Sequence, residues 1–271
     1  TFLTSTGRYL GRLEPELTKN LFIRKAQWKA SGKSLQAIHL VKGFVRGKLK
    51  NYRHLLIRRQ REFTDLDLSA AITKIQEIIT PINTTDNIDS LRGLEGAGSA
   101  VYFGCFDKLI RNQEFEFKKR SRRPPKNPVN SLLSFGYSLL RHDIQGAVNI
   151  VGFDPYLGYL HYDRYGRPSL ALDLMEEFRP LVVDAMVLSI LNREYLTPKD
   201  FITEPLSGAV SLTKEGRKTF LQWYTKKKQS TFKHPVMGRK CMYQEAFELQ
   251  ARLVGKYLMG EIDKYPPLVM K

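Results

Sequence analysis

One short stretch of the sequence combines residue types that hold a divalent metal. In DPYLGYLHYDRYGRPSLALDLMEEFR, residues 154–179, His161 follows a Gly-containing turn and precedes an apolar helical pattern. Asp173, Glu176 and Glu177 lie three and four residues apart in that pattern, so their side chains project on neighbouring faces of a helix. A neutral imidazole with one or two carboxylates can bind a divalent cation. We therefore predict a metal site in this segment.

A further acid lies well upstream, in a helix rich in small residues. Glu95 interrupts the run LRGLEGAGSAVYFGCF, whose glycines and alanines would let another helix or a phosphate backbone approach closely. We predict that Glu95, His161 and Glu176 converge on one metal ion although they span more than 80 positions of the chain. The alternative is that Glu95 is an acid favoured near a helix N-terminus by the helix dipole.

The other candidates also have structural alternatives. His161 stands beside large apolar residues and could be a partly buried histidine with no ligand role. Acids inside an apolar run need a compensating cation, and Arg179, three residues after Glu176, could form a plain ion pair with it. Glu177 competes with Glu176 as the acidic ligand. The residues alone leave these choices open.

Composition favours a polyanionic partner. The chain of 271 residues carries a net charge of +17 and is 42% hydrophobic, so it can bury a core and engage phosphates. An acidic membrane surface is the competing partner, but no apolar run approaches the roughly 20 residues that span a bilayer, and no signal peptide is visible. The two cysteines, Cys105 and Cys241, lack a CxxC partner, which fits a reducing cytoplasmic location.

The elements that must position these residues are mostly helices. Apolar residues recur at three- and four-residue spacing through most of the chain, which predicts a mainly α fold. The first residues alternate, so we expect 1–16 to be the end of a truncated N-terminal β domain with its linker, followed by an all-α domain over 17–271. The expected elements are helices over 34–63 (one or two), 66–79, 89–110, 127–150, 168–194, 213–228 and 238–262, and a small hairpin over 201–212.

Three sequence blocks resemble a known family. EGAGSAVYF around Glu95, DPYLGYLH around His161 and LALDLMEEFRP around Glu176 are similar, in order and spacing, to the signature blocks of the CRISPR-associated adaptation integrase, the Cas-one family. The resemblance covers essentially the whole chain, including the basic segment LVKGFVRGKLKN. It implies that Glu95, His161 and Glu176 bind a divalent metal, and that Asp173 is a supporting acid. The last ligand of the family is often Asp; Glu176 keeps the carboxylate but holds it one methylene group further from the backbone.

The resemblance also implies a function and partners. It predicts a metal-dependent DNA integrase or endonuclease that inserts spacer precursors into a CRISPR array by transesterification of a 3′-hydroxyl onto a phosphodiester at the repeat boundary. Mg²⁺ or, given the histidine, Mn²⁺ would suit the ligands. It implies a homodimer that assembles with a Cas-two dimer; some relatives carry a reverse transcriptase domain ahead of this region. The alternatives are a structure-selective nuclease with the same site and a non-catalytic helical nucleic-acid-binding scaffold.

Several cations are predicted to contact DNA without reading its sequence. Four lie on expected basic helix faces or at a helix start, and three lie in the proline-containing loop KKRSRRPPKNP, residues 118–128. We expect this loop to be mobile without a partner, since it lacks apolar anchors; it either folds over bound DNA or is only a soluble surface loop. The predicted contacts are Arg24, Lys48, Arg239 and Lys240, and in the loop Arg120, Arg122 and Arg123.

Overall fold

A computed structural model describes residues 2–3, 9–11, 20–32 and 34–270, which are mainly helical, as predicted. Among these residues, no helix is long and apolar enough to cross a bilayer. The α-helices are α1 (Leu21–Lys29), α2 (Leu35–Glu62), α3 (Ser69–Ile79), α4 (Ile88–Gly104), α5 (Pro128–Val151), α6 (Ser169–Met175), α7 (Ala185–Asn192), α8 (Lys214–Gln229) and α9 (Tyr243–Leu258). Short 3-10 turns lie at Thr80–Asn83, Asp107–Leu109 and Pro198–Asp200, and a π-helix at Arg179–Asp184.

The strands form three separate antiparallel pairs. They are β1 (Phe2–Leu3) with β2 (Tyr9–Gly11), β3 (Phe201–Thr203) with β4 (Val210–Leu212), and β5 (Thr231–Lys233) with β6 (Lys240–Met242). The first pair lies where we expect the end of a β domain, whereas the linker predicted before residue 17 lies outside the described residues. The domain boundary therefore stays a prediction. The second pair confirms the hairpin predicted over 201–212.

The third hairpin corrects the prediction of one helix over 238–262. Gly238 has φ +68° in the turn of this hairpin, a conformation that glycine adopts without strain. The backbone N–H of His234 donates to the carbonyl of Arg239, which closes the turn. Helix α9 consequently begins only at Tyr243. The apolar residues before it alternate over too few positions to distinguish a strand from the start of a helix.

Helix α2 is continuous over 28 residues, which resolves the choice between one helix and two. Ser34 caps it by accepting from the backbone N–H of Ala37. The sequence predicts a solvated basic face on this helix, but Lys42 and Lys48 are buried. Lys42 donates to the carbonyl of Asn83 and forms an ion pair of 2.7 Å with Asp86. Burial is tolerated because each buried ammonium has acceptors.

The helix predicted over 168–194 is interrupted in the structure. Helix α6 ends at Met175, and a π-helix follows from Arg179 to Asp184 before α7 begins. Pro180 lacks a backbone N–H and cannot continue the α-helical hydrogen-bond pattern there. The interruption begins directly at Glu176 and Glu177, so it determines where these two acids point.

Close packing of α4 on α2 brings two predicted blocks together. Helix α4 is capped by Asn87, whose side chain accepts from the backbone N–H groups of Asp89 and Ser90. Gly98 of α4 lies against Leu49 of α2, with no space for a side chain between them. One turn further on, the Tyr102 ring stacks on Tyr52 of α2 at 3.8 Å. The predicted close approach at the small residues is therefore made by α2.

We predict that Gly98→Ala destabilises the protein while Gly96→Ala does not. The added methyl group at Gly98 would collide with Leu49, and overpacking of this kind costs about 1–3 kcal/mol. Gly96 is exposed, with nothing within 4 Å of an added Cβ, so alanine there should stabilise the helix by roughly 0.5–1 kcal/mol. Thermal unfolding of both variants measures this. Equal melting temperatures would contradict the described packing of α2 on α4.

Candidate active site

Two carboxylates from distant segments contact one buried ammonium group, and a histidine lies beside one of them. Lys48 Nζ of α2 contacts Glu95 Oε1 of α4 and lies 2.6 Å from Glu176 Oε2, at the end of α6. Because both carboxylates contact the same nitrogen, they lie at most about two hydrogen-bond lengths apart. His161 Nε2 is 3.9 Å from Glu176 Oε1. The structure thus brings Glu95, His161 and Glu176 together, and we call them, with Lys48 and Arg179, the charged cluster.

Within the residues that the structure describes, no three His, Cys, Asp or Glu side chains are already arranged to hold a metal ion. A cation nevertheless lies between the two acids, because the Lys48 ammonium contacts both. Glu176 Oε2 pairs with Lys48 but accepts no well-directed hydrogen bond. Glu95 and His161 remain about one-quarter exposed, so the cluster is open to solvent on their side.

The charges in the cluster balance. Arg179 Nη2 lies 3.1 Å from Glu176 Oε1, so two cations face the two acids. Burial alone would raise the pKa of Glu176, but Arg179, Lys48 and His161 together lower that pKa to about 2. Burial alone would lower the pKa of Lys48, but the attraction of Glu176 raises it above its usual value. Both groups are therefore charged at neutral pH, and each depends on the other to be buried.

Asp173 fixes the position of His161. Its side chain is fully buried and accepts from the backbone N–H groups of Tyr159, Leu160 and His161 at 2.6–3.0 Å. The same carboxylate lies 2.6 Å from His161 Nδ1, which leaves Nε2 directed toward Glu176. Gly158 permits this arrangement, since a Cβ there would lie 2.9 Å from Asp173 Oδ2. Asp173 is thus a positioning residue, in keeping with its expected supporting role.

Glu177 points away from the charged cluster. Its carboxylate accepts from the backbone N–H of Leu268 at 2.7 Å, the Tyr265 hydroxyl at 2.8 Å and the Gln250 amide at 3.0 Å. Burial raises the pKa of Glu177 to about 8, although these hydrogen bonds act in the opposite direction. Glu177 therefore fastens the C-terminal segment to the core. Between the two acids that the sequence leaves open, the geometry favours Glu176 as the ligand.

The π-helix adds two residues to the site that the metal-binding pattern does not include. Arg179 and Asp184 lie at its two ends, five residues apart, which is the hydrogen-bonding period of a π-helix. The Tyr137 hydroxyl donates to Asp184 at 2.5 Å, and the Arg179 guanidinium lies over the Tyr137 ring at 4.9 Å. Burial raises the pKa of Asp184 to about 6, against the effect of its tyrosine hydrogen bonds. This support holds Arg179 beside Glu176.

The predicted DNA-contact residues differ in exposure. Lys48 is 3% exposed inside the charged cluster, so its prediction as a surface contact is wrong. The sequence offered one indication of this: acids in an apolar helix need a cation nearby. Arg120 donates to Asn130 at 2.7 Å and to Ser134 at 3.1 Å, which anchors the loop expected to lack anchors. The remaining predicted contacts stay predictions: Arg24 is half-buried, and Arg122, Arg123, Arg239 and Lys240 are exposed.

Comparison with known proteins decides the family. A family model described as CRISPR associated protein Cas1 matches residues 1–226. The chain belongs to the Cas1 family. The protein named CRISPR-associated endonuclease Cas1 1 of Chlorobaculum tepidum is 39% identical over 278 residues, covering 100% of this chain and 80% of its own length. The family assignment from the three sequence blocks is thereby confirmed.

Solved structures show the same fold. A casposase bound to integration product superposes with a TM-score of 0.83 at 22% identity, covering 96% of this chain and 71% of its own. A Cas6-RT-Cas1–Cas2 complex contains a chain that superposes with a TM-score of 0.82 at 24% identity, covering 97% of this chain and 28% of its own. The mainly helical Cas1 architecture is therefore shared by proteins of quite different length.

We predict that Asp173→Asn lowers the pKa of His161. Burial lowers this pKa, but the hydrogen bond and negative charge of Asp173 outweigh it and raise the pKa above its usual value. Removing the charge while keeping an acceptor oxygen should therefore lower the His161 pKa. Proton NMR titration of the imidazole in metal-free protein measures this. Asp163→Asn, an exposed acid two residues from His161, is the control; an unchanged His161 pKa in Asp173→Asn would contradict the assignment.

Proposed function

We propose that this Cas1-family protein is a metal-dependent DNA integrase of CRISPR adaptation. It joins the 3′-hydroxyl of a spacer precursor to a phosphodiester at the repeat boundary, by transesterification. The observation that carries the proposal is that Glu95 and Glu176 contact one cation, the Lys48 ammonium, while His161 Nε2 lies 3.9 Å from the other carboxylate oxygen of Glu176. Two carboxylates with an imidazole beside them form a ligand set suited to a divalent metal.

The ligand atoms fit Mg²⁺ or Mn²⁺. Carboxylate oxygens from Glu95 and Glu176 suit both ions, and the His161 nitrogen favours Mn²⁺. Glu176 Oε2, which lacks a well-directed hydrogen bond, is available to a metal once Lys48 moves. When bound, the metal supplies a Lewis acid for the scissile phosphate and favours the attacking alkoxide.

The surrounding residues orient the proposed ligands, balance their charge and leave one side open to the substrate. Asp173 orients His161 through Nδ1, so that Nε2 faces the ligand position. Arg179 offsets the negative charge of Glu176 from the buried side, and the partly exposed side of Glu95 and His161 admits the substrate. The net charge of +17 attracts DNA without regard to sequence. We propose a homodimer that assembles with a Cas2 dimer, which is supported by the structural similarity to a chain of a Cas6-RT-Cas1–Cas2 complex.

A second candidate uses the same residues. It is a structure-selective nuclease that hydrolyses branched DNA, and the name endonuclease of the Chlorobaculum tepidum relative supports its nuclease activity. The two candidates differ in the nucleophile, a DNA 3′-hydroxyl or water, and in their products. One assay distinguishes them.

We predict that Glu95→Ala and Glu176→Gln abolish strand joining but leave DNA binding nearly intact, since each removes a metal ligand and no phosphate contact. The assay supplies a labelled spacer precursor, a repeat-containing target and Mn²⁺, and resolves joined from cleaved products. Glu248→Gln removes a partly exposed acid that pairs with Arg252 on α9, and this variant should join at the native rate. Cleavage without joining by the native protein would support the nuclease. Joining at native rates by both cluster variants would overturn the proposed site.

We predict that Lys48→Met destabilises the metal-free protein and strengthens Mn²⁺ binding. Removing one partner of a buried ion pair costs about 3–5 kcal/mol because it leaves a buried charge uncompensated. A metal ion can then supply the missing positive charge without competing with the ammonium, so its dissociation constant should fall roughly tenfold, or 1.4 kcal/mol. Calorimetric titration with Mn²⁺ and melting curves with and without the metal measure both effects.

The matched control is Lys42→Met. Lys42 is also a buried lysine of α2, but its partner is Asp86, away from the charged cluster. This variant should lose stability without any gain in Mn²⁺ affinity or in stabilisation by Mn²⁺. If Lys48→Met bound Mn²⁺ no more tightly than the native protein, the cation position would not be the metal position.

A further inference from the structure

A partly enclosed cavity of about 410 Å³ lies between α2, α7 and α8. Its lining is partly apolar and includes Leu181, Met186 and Trp223, and the Tyr243 ring of α9 also contributes to it. Among the described residues that line this cavity, none belongs to the charged cluster. The chemistry proposed above therefore makes no use of it. We call it the α8 cavity.

Positive charge dominates the lining of the α8 cavity. Five lysine and arginine residues line it: Arg58, Arg59, Arg193, Lys226 and Lys227. The acid of the lining, Glu62, pairs with Arg59 at 2.9 Å. The other four cations have no ion-pair partner within the part of the chain that the structure describes. A small anion that entered the cavity would therefore meet uncompensated positive charge.

Lys227 differs from the next lysine of α8 in its surroundings. Its Nζ lies over the Tyr243 ring, 4.5 Å from the ring centroid, and among the described residues it has neither a hydrogen-bond acceptor nor a carboxylate partner. By contrast, Lys228 Nζ lies 3.2 Å from both carboxylate oxygens of Asp143. An aromatic ring stabilises an ammonium only weakly, so partial burial without an acceptor favours the neutral amine of Lys227.

The electrostatics agree with this geometry. Burial and, to a smaller extent, the positive charge of Arg58 lower the pKa of Lys227 to about 8. Tyr243 supplies no negative charge, because burial raises the pKa of its hydroxyl to about 12. Burial also lowers the pKa of His54, which is therefore neutral at neutral pH. At pH 7.5 roughly a quarter of Lys227 amines are neutral, against about one in a thousand for an ordinary lysine.

We propose that the α8 cavity binds small acyl phosphates and that Lys227 is a site of acylation by them. Arginine suits the phosphate group, because its planar guanidinium donates charge-assisted hydrogen bonds to phosphate oxygens. A lysine that is partly desolvated beside another cation is an effective nucleophile. The side chain is only partly buried, so a reagent in solvent can reach it. This proposal goes beyond the proposed function and does not rest on it.

The acyl transfer needs no further reactant. The lone pair of Lys227 Nζ attacks the carbonyl carbon of the acyl phosphate and forms the new N–C bond. The bond between that carbon and the phosphate oxygen breaks, and its electron pair leaves with inorganic phosphate. One N–H proton passes to the phosphate or to water. The product is an amide, which cannot take up a proton at neutral pH as the amine does.

The first test compares neighbouring lysines within the native protein. The protein is incubated with acetyl phosphate at pH 7.5, unfolded and cleaved after glutamate, so that Lys226, Lys227 and Lys228 remain in one peptide, residues 216–245. Tandem mass spectrometry then gives the acetylation rate of each lysine. We expect Lys227 to react at least about tenfold faster than Lys228, because its larger neutral fraction outweighs the weaker nucleophilicity of a weaker base. Equal rates at the two lysines would overturn the proposal.

The second test separates phosphate binding from amine basicity. Arg58→Gln removes an exposed cation of the cavity, and Arg164→Gln, which removes an exposed arginine outside it, is the matched control. Each variant is treated with acetyl phosphate and, separately, with an uncharged aryl acetate ester. In Arg58→Gln, acetyl phosphate should acylate Lys227 at least about fivefold more slowly, as expected for the loss of a charge-assisted hydrogen bond. The ester should lose much less.

Inorganic phosphate should slow acylation of Lys227 by acetyl phosphate but not by the ester, because only the first reagent competes for the cations. Arg164→Gln should react at the native rate with both reagents. An equal loss with both reagents in Arg58→Gln, or a native rate with acetyl phosphate, would overturn the binding of acyl phosphates. Melting temperatures of both variants verify folding. Strand joining is not used as a readout, so failure here is distinguishable from failure of the proposed function.

Discussion

The rest of the site depends on one buried ion pair, between Lys48 and Glu176. Glu176 is 3% exposed and could not remain ionised there without compensation. Lys48 supplies that compensation and at the same time contacts Glu95, which ties α2 to both α4 and α6. The same requirement for positive charge makes the position suitable for a divalent metal. In the function that we propose, a structural need and a catalytic one would meet at this single point.

Much of the fold positions this point. Gly98 lets α4 approach α2, and Gly158 lets the connection before α6 approach Asp173. The π-helix places Arg179 beside Glu176. None of these features is itself chemical. Each brings two segments of the chain close enough for a charged side chain of the site to contact its partner. The small residues and the interrupted helix are therefore as important to the site as its acids.

The sequence predicted the mainly α fold and the three blocks because both depend on local patterns: apolar spacing and short motifs around Glu95, His161 and Glu176. It did not predict the position of Lys48, since helical spacing alone places that residue among other cations of α2. The π-helix was also missed, because continuous apolar residues conceal a change of helical period. The choice between Glu176 and Glu177 needed the C-terminal segment, whose Leu268 and Tyr265 bind Glu177. Such tertiary partners leave no local signal in the sequence.

The central claim is that the position now held by the Lys48 ammonium is the metal position. Anomalous X-ray diffraction from crystals of the native protein soaked in Mn²⁺ tests it most directly. We expect one strong peak about 2.0–2.3 Å from carboxylate oxygens of Glu95 and Glu176 and from His161 Nε2, with the Lys48 ammonium displaced. A peak coordinated by Glu177 or Asp173, or a manganese site remote from His161, would contradict the account.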